Sequence, residues 1–549
     1  MALITLNKKL FEKEIGKLDE KMQERIAMFG TPIEKIDEES IEVEIFPNRP
    51  DMLSYSGFKR SFLAFLGKKT GLREYKVNKP EKNYSVIIDS SVKDVRPYTV
   101  CSIVKDLKLD SEKIKELIEI QEKLHFTLGR KRKKTAIGIY PLEKIELPIY
   151  FKALEPDKIK FIPLEFDKEM SGLQILQKHP TGRDYSHLLA GKSKFPIFID
   201  SKNNILSMPP IINSQLTGKI TEETKNVFVE CSGFDFKTLK KCLNILVTTL
   251  AEMGGNIYSM ELKGVPEKIS PILDSEKMKI SLENTNKLLG IKIDEKQLKN
   301  LIERMGHNYN SKTNEVEIGS WRTDILHEVD LIEDVAIAYG YENFIPEIPK
   351  ISTIGKENPT EIVKRKISEI LSGLNLLEVS NYHLTTKQDQ FTKMGIPEKQ
   401  EKGFLELENS KTEYTILRKD LSSYLLKNLS ENIDSEYPQR IYEIGTVFEL
   451  KENIKENEKL AVAITPGNFT EAKQILEYLF RSLNMQITFE EAENIPGHFI
   501  EGRTAKIITE KKEIGLIGEI HPKILRNWKI KMPIALFEIS LEEIFKKLI

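Results

Sequence analysis

Apolar residues in this 549-residue chain arrive in short runs of two different periods, and proline or glycine cuts nearly every run. That feature constrains the fold more than any other. I-E-V-E-I-F (41–46) alternates apolar and acidic residues, the mark of a half-buried strand. Y-S-V-I-I-D (84–89), T-A-I-G-I-Y (135–140), F-P-I-F-I-D (195–200) and N-V-F-V-E-C (226–231) are strand-like, as are R-I-Y-E-I-G-T-V-F (440–448), E-I-G-L-I-G-E-I-H-P (513–522) and I-A-L-F-E-I-S (534–540). Helical spacing separates them. It carries Tyr55, Phe58, Phe62, Phe65 and Leu66, with Asp51 as a cap, and returns from Lys237 to about Met253 and over 360–374. Two further helices, near 281–290 and 294–306, stop at Gly290 and Gly306. The chain is therefore α+β and multidomain, with mixed and antiparallel sheets and packed helices, the second and fourth regions being antiparallel. No short-period repeat supports a solenoid, and no window approaches the ~18 uncharged apolar residues of a membrane span.

At roughly 100–200 residues per domain, about three to five domains are expected. Four regions separate: 1–80, 85–265, 270–348 and 355–549, with P-E-I-P (346–349) closing the third. Lys+Arg number 83 against Asp+Glu 84, a balance that excludes a globally basic nucleic-acid coat and leaves any such contact local or shared with a partner. Cys101, Cys231 and Cys242 form no C-x-x-C pair, which argues against a disulfide framework or structural zinc and suits a reducing compartment. M-A-L-I-T-L-N-K-K-L lacks the apolar core of a signal peptide, so a cytoplasmic protein is expected.

The densest chemistry lies in W-R-T-D-I-L-H-E-V-D-L-I-E-D (321–334). With Asp330 at zero on a helical wheel, Glu333 falls near ~300° and Asp334 near ~40°, one arc of about 100°. Asp324 joins them only as the cap or a residue just before it. A solvated face, a general acid/base pair and a hard-metal site are the alternatives. Like charges in one turn repel by a few tenths of a kcal/mol per pair, and an all-oxygen set suits Mg²⁺. No nucleophile or histidine partner accompanies them, so catalysis by these acids alone ranks last.

Other motifs are less specific. P-N-R-P-D (47–51) is a rigid turn whose Arg49 is either structural or available to RNA or a partner. G-R-K-R-K-K (129–134) either grips phosphate or is a solvated loop. His179 and His187, in H-P-T-G-R-D-Y-S-H, lack metal-ligand spacing and read as hydrogen-bonding residues. S-M-P-P-I-I-N-S (207–214) is a stiff segment ending in polar groups, suited to lining a small pocket, and E-C-S-G-F-D (230–235) adds a glycine turn and a carboxylate. There is no P-loop, no G-x-G-x-x-G and no defensible Ser/His/Asp order.

Taken in order, these segments resemble the β subunit family of phenylalanyl-tRNA synthetase in its archaeal and eukaryotic-cytosolic form, over nearly the whole chain. E-I-F-P-N-R-P-D-M-L-S resembles the N-terminal B1 segment. T-A-I-G-I, I-D-S-K-N-N-I-L-S-M-P-P-I-I-N-S and T-K-N-V-F-V-E-C-S-G-F-D resemble the B3/B4 editing-type domain. S-W-R-T-D-I-L-H-E-V-D-L-I-E-D-V-A-I-A-Y-G-Y-E-N resembles the end of B5, and R-I-Y-E-I-G-T-V-F with G-E-I-H-P the class II catalytic-like domain.

The resemblance implies a Mg²⁺ site shared with the α subunit, spaced D-x5-D-x2-E-[ED], which lands on Asp324, Asp330, Glu333 and Asp334. It implies an α2β2 tetramer that uses ATP to join phenylalanine to tRNA(Phe), with the aminoacylation site in α and no catalytic residue for it here. G-L-I-G-E-I-H-P has no arginine for a nucleotide clamp, so the last region reads as an inactive copy packed against α. It implies that the second region hydrolyses Tyr-tRNA(Phe), useful because a phenylalanine pocket rejects an added hydroxyl poorly. Asn213, Ser214 and Asp235 are the candidate pocket residues. The family's A-I-G-x-H-D is A-I-G-I-Tyr140-Pro141 here, and its C-T-G-T-D carries Ser232 and Phe234, departures that bear on editing rather than on fold. No inserted OB-fold module or added ferredoxin-like domain of the bacterial form is expected, so anticodon contacts are not expected either. A stand-alone aminoacyl-tRNA deacylase and a non-catalytic RNA-binding scaffold are the alternative functions.

Overall fold

The computed structural model describes residues 2–397 and 402–549. The chain divides into two compact units, 1–348 and 349–549.

In the first unit, strands Ala2–Asn7, Ser40–Ile45 and Ile33–Ile36 form an antiparallel sheet. Ser40–Ile45 alternates as its sequence predicts: Ile41, Val43 and Ile45 are buried and the residues between them are not. The buried side is filled by phenylalanines. Phe58, Phe62 and Phe65, on helix Tyr55–Phe65, meet Phe29, and Phe62 also meets Phe11. Full burial of each such ring is worth about 1.5–3 kcal/mol.

The sequence predicts Asp51 as the cap of this helix, and the structure gives that role to Ser54, whose hydroxyl accepts from the Gly57 backbone N–H at 3.0 Å. Pro50–Met52 forms a separate 3-10 turn first. That turn packs so tightly that a Cβ on Gly57 would stand 2.0 Å from the Asp51 carbonyl oxygen. Asp51 is left buried, where a carboxylate needs a counter-charge. Arg49 supplies it with two hydrogen bonds of 2.9 and 3.0 Å, so its guanidinium serves the fold.

Among the described residues the largest sheet has eleven strands. Its main path runs Ile212–Asn213, Ile205–Met208, Phe195–Ile199, Ile149–Leu154, Ser85–Ile88, Asn256–Lys263, Tyr98–Lys105, Val227–Gly233 and Thr135–Pro141. Ser85–Ile88 is parallel to both its neighbours, so the sheet is mixed rather than antiparallel. The interior strands are apolar on both faces because helices cover the sheet, chiefly Phe236–Glu252, whose residues 242–250 are all buried. A third sheet, Glu276–Lys279, Glu315–Ile318 and Asn308–Asn310, packs with helices Leu282–Leu289, Glu295–Arg304 and Glu328–Tyr339. One continuous core, from Ile4 to Ala338 in sequence, joins these three sheets.

The second unit is built on a seven-stranded sheet, ordered Leu377–Glu378, Gln439–Leu450, Ile454–Thr465, Ala535–Ser540, Lys512–Ile520, Phe499–Thr509, Thr488–Glu491. Only its first pair is parallel. Ile454–Thr465 shows how one strand builds two cores. Leu460, Val462 and Ile464 face helices Pro359–Gly373 and Phe469–Ser482, and the small Ala461 and Ala463 face helix Ser422–Glu431.

Candidate functional site

The acidic stretch folds around a guanidinium. Arg322 is buried and donates to both oxygens of Asp324, at 2.8 and 2.7 Å. The same guanidinium reaches the buried Asp334 at 2.9 Å. His307 closes the group, its Nε2 lying 2.9 Å from Asp334 and 3.1 Å from Arg322. Burial pushes the Asp334 carboxyl up, but Arg322 and His307 overcome it and hold the group at about 2. Burial also holds His307 below its ordinary value.

Asp330 has a backbone task. His327, not Asp324, caps helix Glu328–Tyr339, and one Asp330 oxygen accepts from the Leu326 and His327 N–H groups, both at 2.7 Å. Glu333 stays exposed on this helix, its pKa raised by partial burial and then by Asp334, Asp324 and Asp330.

The four sequence-selected acids are thus brought into one region with separate duties. Among the described residues no group of three or more His, Cys, Asp or Glu side chains is arranged to hold a metal ion. The donor chemistry fits Mg²⁺ through Glu333 and the second oxygen of Asp330, since both oxygens of Asp324 and one of Asp334 are engaged by Arg322. Mg²⁺ accepts such a set, needing one or two carboxylates and keeping several waters.

The proline-bounded segment does line a cavity, of about 100 Å³. Asn213, Ser207, Pro210, His125, Ala136 and Glu230 are on its wall. Of the three residues selected from sequence, only Asn213 is there. Ser214 is buried beside it, its hydroxyl accepting from the Leu216 N–H and its own N–H donating to the Leu206 carbonyl. Asp235 caps helix Phe236–Glu252, binding the N–H and hydroxyl of Thr238, and does not line the cavity.

Glu230 was not selected, and it is the most unusual group here. It is buried, its Oε2 has no partner, and burial, opposed by Arg96, pushes its pKa up to about 8. Its signal in the sequence is an acid inside the apolar run V-F-V-E-C.

The basic run is partly consumed in positioning this cavity. Arg130, Lys131 and Arg132 take left-handed backbone angles, φ 48°, 54° and 63°. This turn aims Arg132 at the Ile211 carbonyl (2.8 Å) and at Glu122 (2.9 Å), with its guanidinium over the Tyr185 ring. His179 hydrogen-bonds the Leu164 carbonyl at 3.1 Å, a structural role.

In the second unit, charged groups on the inner sheet face are paired within the chain. Arg418 binds Glu443 at 2.6 Å, both buried, and Lys459 binds Glu538 at 2.8 Å. Glu538 also accepts from the Leu421 and Ser422 N–H groups. Arg418 is therefore committed to a carboxylate, a poor start for a phosphate clamp.

Known proteins place these features in the aminoacyl-tRNA synthetase class. A family model for the tRNA synthetase B5 domain matches residues 278–341, and one for the phenylalanyl tRNA synthetase beta chain CLM domain matches 345–541. The phenylalanine–tRNA ligase beta subunit of Thermococcus sibiricus is 42% identical over 511 residues, covering 91% of this chain and 90% of its own length. That of Archaeoglobus fulgidus is 37% identical and covers 99% of both chains. The crystal structure of an N-terminal fragment of the Pyrococcus horikoshii beta subunit superposes with a TM-score of 0.59 at 36% identity, covering 62% of this chain and 99% of the fragment. The chain belongs to the family of phenylalanine–tRNA ligase beta subunits, components of an aminoacyl-tRNA ligase. No helix among the described residues is long and apolar enough to cross a membrane.

Proposed function

We propose that this chain is the β component of an α2β2 ligase that uses ATP to activate phenylalanine and attach it to tRNA(Phe), with the synthetic site in α. The observation that carries this reading is end-to-end similarity: relatives named as beta subunits align over 91–99% of the chain. The internally paired charges of the second unit support placing the chemistry in α, because neither Arg418 nor Lys459 is free to stabilise a phosphate. In this reading 1–80, 85–265, 270–348 and 355–549 are the B1, editing-type, B5 and catalytic-like regions.

Glu333 and Asp330 are the residues that would hold Mg²⁺, with Asp324 and Asp334 adding negative potential around them. The ion would there neutralise carboxylates at the contact with α, a structural role. The second region is an editing-type module.

Co-expression with the α subunit of the same genome tests the proposal. Neither chain alone is expected to charge tRNA(Phe), and the complex with ATP and Mg²⁺ is. Charging by the isolated β chain, or none by the complex, overturns the assignment.

A further inference from the structure

Three polar groups on the wall of the cavity beneath Pro209 and Pro210, Ser207, Asn213 and Glu230, already face a side chain of this chain. Tyr140 lies in strand Thr135–Pro141, fully buried, and its hydroxyl donates to Ser207 Oγ at 2.7 Å. The same oxygen is 3.3 Å from Glu230 Oε1 and 3.4 Å from Asn213 Oδ1. Three polar side chains from three strands therefore converge on one phenol, and the phenol belongs to the chain itself.

The register explains how it gets there. Tyr140 pairs with Phe228 and Gly138 with Glu230, so all four share one face of the sheet. The Tyr140 ring stacks on Phe228 at 5.8 Å between centroids and its hydroxyl leans over Gly138. A Cβ on Gly138 would stand 2.1 Å from that hydroxyl and 2.6 Å from Glu230 Oε1, so only glycine leaves the path open. The remaining cavity is about 100 Å³. An engineered apolar cavity that binds benzene measures about 150 Å³. The space left over does not hold an aromatic ring.

Resting on the reading of 85–265 as an editing-type module, we infer that Tyr140 determines what this pocket accepts: its own phenol fills the place beside Ser207, Asn213 and Glu230 and closes the pocket to an aromatic amino acid. Rejection of tyrosine then falls to the synthetic site, where an added hydroxyl is resisted only about 10²-fold by an apolar pocket.

Two measurements test this. The wild-type αβ complex, given preformed Tyr-tRNA(Phe), is expected to release tyrosine no faster than the ester hydrolyses alone. Release clearly above that background overturns the inference. The second uses the full chain and p-cresol, the tyrosine side chain as a free molecule, with binding followed by ligand-observed NMR. Wild type and Tyr140→Phe, which keeps the ring, are expected not to bind. Tyr140→Ala is expected to bind p-cresol at least tenfold more tightly than Tyr140→Phe does, and more tightly than it binds toluene, because Ser207, Asn213 and Glu230 await a hydroxyl. Binding by wild type, or equal binding of p-cresol and toluene by Tyr140→Ala, overturns it. Phenylalanine charging by the same complex is read in parallel. If charging fails, the ligase assignment fails; if charging holds and the pocket results do not, only the closure fails.

Discussion

Arg322 shows what one side chain does for a cluster of acids. A buried carboxylate beside a half-buried one is unstable in low dielectric unless a cation lies between them, and a planar guanidinium reaches both. Arg322→Ala leaves Asp324 and Asp334 without it and is expected to cost about 3–5 kcal/mol, read as a lower urea midpoint for the unit that contains it. Arg322→Lys keeps the charge and loses the two-pronged geometry, so its midpoint falls between. An unchanged midpoint for Arg322→Ala contradicts the arrangement. Glu230 gives a second residue-scale outcome. Its ordinary value is 4.5 and the folded value about 8, so across that window the folded chain holds a proton the unfolded chain has lost. Its contribution to stability is therefore full below 4.5 and is lost as pH rises through about 8. Glu230→Gln stays neutral throughout. Urea midpoints at about pH 5 and about pH 9 should show wild type losing stability relative to the variant; parallel behaviour of the two excludes a protonated Glu230.

At the scale of an element, helix Glu328–Tyr339 begins with two tasks on one residue. Asp330 binds the Leu326 and His327 N–H groups, as an acid in a first turn does. Asp330→Ala is expected to cost about 1 kcal/mol in the isolated chain without Mg²⁺, as loss of a cap does. Adding Glu333→Ala should change stability little further and instead reduce the Mg²⁺ dependence of assembly with α, measured by sedimentation with and without chelator. If assembly is equally Mg²⁺-dependent in the double variant, these acids do not hold the ion. Helices were legible at this scale, with 294–306 expected against Glu295–Arg304 observed and 360–374 against Pro359–Gly373. Caps were less so. Ser54 took the cap expected of Asp51, which pairs with Arg49, and His327 is the cap that Asp324, expected at or just before it, precedes while pairing with Arg322.

For the whole molecule, the division falls after residue 348, close to the P-E-I-P break. The first three regions share one core, which no single run of sequence announces. Strands distant in the chain pair across regions: Val77–Asn78 attaches in parallel to Asn256–Lys263. The charging experiment belongs at this scale, since it asks whether the whole chain supplies a partner surface and not a complete catalyst.

The sequence by itself determined the periodicities, hence many of the strands and helices, and the family. Those follow from local pattern, which the chain carries residue by residue. It also marked Asn213 and the acids of 324–334, because short spacing along a helix or turn keeps neighbours together in space. Only the tertiary structure decided what those groups face. Arg322 among the acids, the unpartnered Oε2 of Glu230 and the Tyr140 phenol against Ser207, Asn213 and Glu230 depend on sheet register and on contacts between distant segments. Register turns a side chain inward or outward, and a charge or phenol finds its partner only once the strands are paired.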